Sequence, residues 1–311
     1  MLRFILHRLL WGIPVLWLVA TITFIIMHIV PGGPFDAEKN LPPAIKSNIE
    51  QKYHLDRPIQ EQYLLYMWNL LKGDLGPSYK YLGRSVNDII IDTLPVSIHL
   101  GVIAFILSII IGTGSGILSA ASKDKSISVD RVSMIIAIGG VSIPHFVLAA
   151  LLILIFSQTI HIFPPALWEG WRYTILPAIS LAAAPAAYMA RLMRSTMIDV
   201  LREDYIRTCY AKGLSYNAIL FKHAMKNAIT PMITFSGPLF AGLITGSFVI
   251  EYIFSIPGMG KYFVTAVINR DYPLIMGVTL VYAVLIVVVN LIVDILYLFI
   301  DPRIRPRIRK K

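Results

Sequence analysis

One cysteine, Cys209, stands in 311 residues, which excludes an internal disulfide, a CxxC redox pair and a cysteine zinc cage. Charge is scarce too. Asp, Glu, Lys and Arg make up 15% of the chain, where soluble domains carry about a quarter. With 56% hydrophobic residues and a mean hydropathy of +0.69, the composition excludes disorder and an ordinary soluble domain. Gly at 20 residues excludes a collagen repeat. A polytopic membrane protein is the class that remains.

Chemistry-bearing motifs are missing as well. The string Gly258-Met259-Gly260-Lys261 imitates the end of a phosphate loop, but Ser255 stands where the first Gly is needed and Tyr262 replaces the Mg²⁺-binding Ser or Thr. No HExxH, no nucleophile elbow and no pair of Asp residues inside an apolar run is present, so an intramembrane hydrolase has no machinery. A proton- or sodium-coupled carrier places ionisable groups at membrane depth. Here only Glu251 and Asp294 lie near run ends, and His28, His99 and His145 are isolated histidines suited to bonding backbone or facing a polar seam.

What the chain does have is six apolar runs, 10–30, 96–121, 132–156, 173–190, 228–250 and 272–293, none containing Asp, Glu, Lys or Arg. A bilayer core about 30 Å thick needs roughly 20 such residues per helix, so the sequence predicts an all-α fold with six transmembrane helices. The first run follows Arg3 and Arg8 like a secretion signal, but it is long and lacks a small-residue cleavage site, so it is expected to stay as an anchor.

Charge is distributed unevenly between the two sets of connecting segments. Segments 1–9, 122–131, 191–227 and 301–311 hold 18 basic and 6 acidic residues, against 10 basic and 11 acidic in 31–95, 157–172 and 251–271. Positive loops stay inside, so both termini are expected in the cytoplasm. The tail Arg303, Arg305, Arg307, Arg309, Lys310 and Lys311 then faces anionic lipid headgroups rather than nucleic acid. The expected organisation is an anchor helix and external cap over 1–95, a transmembrane core over 96–300 with its main cytoplasmic loop at 191–227, and the basic tail 301–311. Within the cap, Ile45, Ile49 and Tyr53, then Ile59 and Tyr63, follow helical spacing, and Gly73 closes the second patch.

Two patterns concern mechanics. Gly112 and Gly116, four apart, allow close approach of a neighbouring backbone. Pro177 and Pro185 interrupt the hydrogen-bond ladder of the fourth run, while Ala182, Ala183, Ala184, Ala186 and Ala187 offer a thin surface. That combination suits either rocking or a fixed kink with tight packing.

The main loop reads as helix, break, helix. Residues 204–212 form the first helix, Gly213 takes the left-handed conformation that stops it, and Ser215 caps the next. Tyr205-Ile206-Arg207-Thr208, then Ala211-Lys212-Gly213-Leu214, then His223-Ala224 and 227–231 resemble the coupling loop of type I ABC-importer permeases of the dipeptide and oligopeptide branch. Further strings agree: Pro31-Gly32, Leu41-Pro42-Pro43, Lys52-Tyr53-His54-Leu55, Ser85-Val86-Asn87-Asp88, 251–260, 269–273 and Asp301-Pro302. Within the branch the pattern is closest to the B-type permeases of oligopeptide importers. Arg207-Thr208-Cys209 departs from the Glu-Ala-Ala sequence that names the wider superfamily's loop.

The resemblance implies a subunit without its own motor. Its partners would be a sister permease, two ABC ATPases carrying Mg-ATP, and an extracytoplasmic peptide-binding protein, with no cofactor, metal or catalytic residue on this chain. It implies an inner-membrane location and oligopeptide cargo, with dipeptide, glutathione or nickel import as variants, and a motor-independent channel or a membrane scaffold as competing classes. Carried onto this sequence, ATPase coupling falls to Tyr205, Arg207, Thr208, Cys209, Ala211, Lys212, Gly213 and Leu214. Glu251, Asn290 and Asp294 are the polar candidates for the cargo pathway or its gate.

Overall fold

The computed structural model describes residues 2–31, 33, 51, 53–122, 127–245 and 247–300. Ile45, Ile49, Leu41-Pro42-Pro43, Lys52 and the 301–311 tail lie outside the described residues. Helices α1 (Leu2–Ile29), α2 (Ile59–Leu71), α3 (Val86–Ser122), α4 (Ile127–Ser142) and α5 (His145–Leu152) come first, and α5 continues as a π-helix over Ile153–Thr159. Then follow α6 (Trp171–Leu201), α7 (Asp204–Ala211) and a composite α8, made of Tyr216–Ala218, a π-helical stretch Ile219–Ala224 and Met225–Ala228. The last four are α9 (Thr230–Thr245), α10 (Phe248–Ile253), α11 (Met259–Asn269) and α12 (Tyr272–Ile300). Among the described residues the only extended pairing is an isolated bridge between Pro77 and Ser85.

Among the described residues five stretches are long and apolar enough to cross a membrane: Ile5–Ile29, Val86–Ser122, Trp171–Leu201, Thr230–Ile253 and Tyr272–Ile295. The expected third span differs. It is divided at Ile143 and Pro144 into α4 and the shorter apolar α5. Pro144 caps α5 at ψ 136°, and its carbonyl accepts from the N–H groups of Val147 and Leu148. A proline also pushes the residue before it out of the helical region, which ends α4. In α6, by contrast, the helix runs unbroken through Pro177 and Pro185.

The chain forms two compact units. The first comprises residues 1–97 and 257–287. Here Phe24, Tyr272 and Met276 form a small core joined by Tyr63, Tyr66 and Tyr79. Helix α2 is fastened to α1 by the Thr21–Tyr63 hydroxyl pair at 2.8 Å and by Gln62 against His28 at 3.2 Å. Fully buried Asp271 accepts from Ser78 Oγ, from the N–H groups of Tyr79 and Lys80, and from Leu274 N–H in the first turn of α12. Ser85 and Asp88 form a reciprocal capping box at the start of α3, each accepting from the other's N–H at 3.1 Å.

The second unit comprises residues 98–256 and 288–311. Its core gathers Ile117 and Ala120 of α3, Met189, Met193 and Met197 of α6, Ile206 of α7, and Ile219, Leu220, Ala224 and Ala228 of α8. Helices α3 and α6 meet backbone to backbone at the Gly112 and Gly116 pair: a Cβ at Gly112 would lie 2.5 Å from Met189 Cβ, and one at Gly116 2.6 Å from Met193 Cβ. Gly140 of α4 faces α6 in the same manner, with Ala187 Cβ at 3.2 Å.

Candidate coupling site

After α6 ends at Leu201, only Arg202 and Glu203 intervene before α7 begins at Asp204. An acidic residue in the first turn complements the helix dipole. The other end is a Schellman stop: Gly213 N–H bonds the Tyr210 carbonyl at 2.9 Å and Leu214 N–H the Cys209 carbonyl at 3.3 Å. Gly213 sits at φ +75°, as the sequence predicts for the residue that ends this helix. Ser215 then caps α8, its side chain accepting from Ala218 N–H at 3.4 Å.

The short helix is fixed at its base. Ile206 is fully buried in the core shared by α6 and α8, while Tyr205 accepts a hydrogen bond from Asn227 Nδ2 at 2.8 Å. Two further bonds close the loop on the helices: Tyr216 Oη donates to the Ala121 carbonyl of α3 at 3.2 Å, and Thr196 Oγ1 of α6 to the Ala228 carbonyl at 3.1 Å. These contacts tie α7 and α8 to α6 and to the end of α3.

Of the eight residues the sequence places in the coupling set, Tyr205, Arg207, Thr208, Ala211, Lys212, Gly213 and Leu214 are exposed and Cys209 is half-buried. Sequence reasoning missed the anchors Ile206, Asn227 and Tyr216, and it missed two exposed rings, Tyr210 and Phe221, at 49% and 53% exposure. The spacing of Ile206 to Cys209 on one helical face and the amphipathic character of 204–211 were the available signals.

The pathway candidates fall in different surroundings. Glu251, on α10, is fully buried and accepts from Ser247 Oγ. Asn290 and Asp294 are half-buried one helical turn apart on α12. Among the described residues no group of three or more His, Cys, Asp or Glu side chains is arranged to hold a metal ion.

Comparison with known proteins places this architecture. The family described as "Binding-protein-dependent transport system inner membrane component" matches residues 109–306, and the corresponding N-terminal family matches residues 1–101. The chain is 46% identical over 307 residues to the oligopeptide transport system permease protein OppB of Haemophilus influenzae, covering 98% of this chain and 100% of that one. It is 45% identical to the OppB of Escherichia coli with the same coverage. Identity with the dipeptide transport system permease protein DppB of Bacillus subtilis is 43% over 305 residues, covering 98% of each. Among solved structures, an inward-facing form of the MetNI methionine ABC transporter gives a TM-score of 0.58 at 14% identity, covering 68% of this chain and 96% of that one. That likeness shows the fold, the helical bundle of type I ABC-importer permeases. The chain belongs to the family of binding-protein-dependent transport system inner membrane components, as a multi-pass permease.

Proposed function

We propose that this chain is one permease of a heterodimeric pore that imports oligopeptides delivered by an extracytoplasmic binding protein, with ATP bound as Mg-ATP and hydrolysed on two partner ATPases. The observation that carries the reading is α7: a two-turn helix with an exposed face, stopped at Gly213 and rooted through Ile206 in the core of α6 and α8. Such a projection suits insertion into a groove of another protein, and its rigid root turns movement of that partner into movement of membrane helices. Tyr205, Arg207, Thr208, Cys209, Ala211, Lys212, Gly213 and Leu214 form the coupling surface, and Tyr210 extends it.

In this reading both termini are cytoplasmic, closure of the ATPase pair draws α7 inward, and the bundle opens outward. Nucleotide shifts that equilibrium only through contacts whose free energy differs between the two pore states. Asn290 and Asp294 are proposed to line the pathway, and Glu251 to take part once the bundle rearranges around it. Dipeptide cargo is the second reading, favoured by the similarity to dipeptide permeases over nearly the whole chain.

Purification through an affinity tag, followed by reconstitution with the binding protein, tests the assignment. Stoichiometric ATPase and sister-permease partners and ATP-dependent peptide uptake are expected. Cargo movement by this chain with no ATPase partner would overturn it, and uptake restricted to dipeptides would select the second reading.

A further inference from the structure

Within the second unit α6, α4 and the C-terminal part of α3 share a charged network that the coupling surface does not include. Arg194, on α6, donates from Nε to Asp130 Oδ1 at 2.6 Å and from Nη2 to Asp130 Oδ2 at 2.7 Å, so α6 holds α4 by both carboxylate oxygens. Ser119, on α3, donates to the same Asp130 Oδ1 and accepts from Arg194 Nε at 3.1 Å. Ser119 is fully buried, and the side chains of Arg194 and Asp130 are 26% and 15% exposed. A two-pronged guanidinium–carboxylate pair with so little water around it is geometrically specific, and loss of one partner leaves the other charge poorly solvated.

Close packing runs beside this network. Gly116, on α3, would place a Cβ 2.7 Å from the Ala190 carbonyl of α6, and Gly140, on α4, 3.3 Å from the Ala183 carbonyl. Helix α6 is thus embraced by two neighbours at small-residue contacts and by the charged network within two turns of its end at Leu201. Sliding of α6 along α4 would break the Arg194–Asp130 fork, and sliding along α3 would part Arg194 from Ser119 and drive the Met193 side chain across the Gly116 backbone.

We propose that Arg194, Asp130 and Ser119 form a clamp that makes α3, α4 and α6 a single lever, so that displacement of α7 reaches the bundle as one rigid movement of three helices. The proposal rests on the importer reading and adds which helices move together. The three residues are positioning residues, since they act through the helices they join.

The test uses the full complex of both permeases and both ATPases. Keto-amino acids introduced at Ile135 on α4 and Ser195 on α6, both exposed, carry spin labels while leaving Cys209 in place. Their separation, measured by double electron–electron resonance, is expected to stay constant between nucleotide-free and ATP-bound states. A nucleotide-dependent change in separation overturns the clamp. In parallel, Asp130→Asn is expected to retain ATP hydrolysis while peptide imported per ATP falls on the order of fivefold, with Arg194→Lys, which keeps the charge but not the fork, falling between. Unchanged import per ATP in Asp130→Asn overturns the clamp. Should Asp130→Asn fail to assemble, the label separation in the complex with the native trio decides alone. Absence of ATP-dependent uptake in that native complex would instead overturn the importer reading, and the clamp with it.

Discussion

At Gly116 a methyl group has nowhere to go: it would stand 2.6 Å from Met193 Cβ and 2.7 Å from the Ala190 carbonyl, whereas one turn-fraction earlier a Cβ at Gly114 meets nothing within 4 Å. The same substitution in the same helix therefore has opposite signs. Gly116→Ala is expected to destabilise by about 1–3 kcal/mol through overpacking, and Gly114→Ala to stabilise by about 0.5–1 kcal/mol through helix propensity. Thermal unfolding of the purified chain in detergent checks both, and equal shifts would contradict the α3–α6 contact. In the first unit, the Tyr66 hydroxyl is buried without a partner among the described residues, and burial pushes its ionisation well above the usual tyrosine range. Tyr79 moves the same way, by burial first and then by the Asp271 carboxylate. A phenol that keeps its proton more tightly when folded supports the fold below its unfolded value of about 10 and loses that support as pH rises past it. Tyr66→Phe is expected to raise stability by about 1 kcal/mol near neutral pH and to soften the decline as pH rises above about 10, the unfolded value. A lower unfolding midpoint in the variant would show that the hydroxyl has a partner.

Among the elements, α7 shows how local chemistry becomes visible in sequence. The Gly213 stop, the Ser215 cap, the close-packing glycines and the Gly73 turn at φ +76° are all legible because each depends on residues within four positions. Gly213 has open space around its missing Cβ, so only the left-handed backbone constrains it. Gly213→Asn is accordingly expected to keep import per ATP near that of the parent, and Gly213→Val to lose most of it, since a β-branched residue resists that conformation. Equal import by both variants would separate the helix stop from coupling. The elements that were not legible depend on distance along the chain. Arg194 meets Asp130 across 64 positions and Ser119 across 75, and no spacing rule connects them. The division at Pro144 was written in the sequence but hidden by the apolar residues on both sides, since a run long enough to span a membrane looks continuous to any hydropathy window.

For the whole molecule, the long apolar runs announced the helical bundle and the coupling loop pattern the family; the two compact units were hidden because residues 257–287 join the N-terminal unit through three-dimensional contacts such as those of Asp271. Sidedness remains a prediction at this scale. A protease-cleavable tag after Lys311 is expected to be cut in inside-out vesicles and protected in intact spheroplasts, and the reverse pattern would invert the proposed coupling geometry.

The wide turns over Ile153–Thr159 and Ile219–Ala224 have a consequence for inheritance. A π-turn holds one residue more than an α-turn, so loss of a single codon within Ile219–Ala224 would restore regular winding and leave the faces after it in place, whereas the same loss from regular α-helix would rotate everything after it by about 100°. Asn227 would then stay beside the Tyr205 hydroxyl. Natural length variants of this transporter are therefore expected to tolerate a one-residue loss in that short stretch and to spare the regular turns of α6.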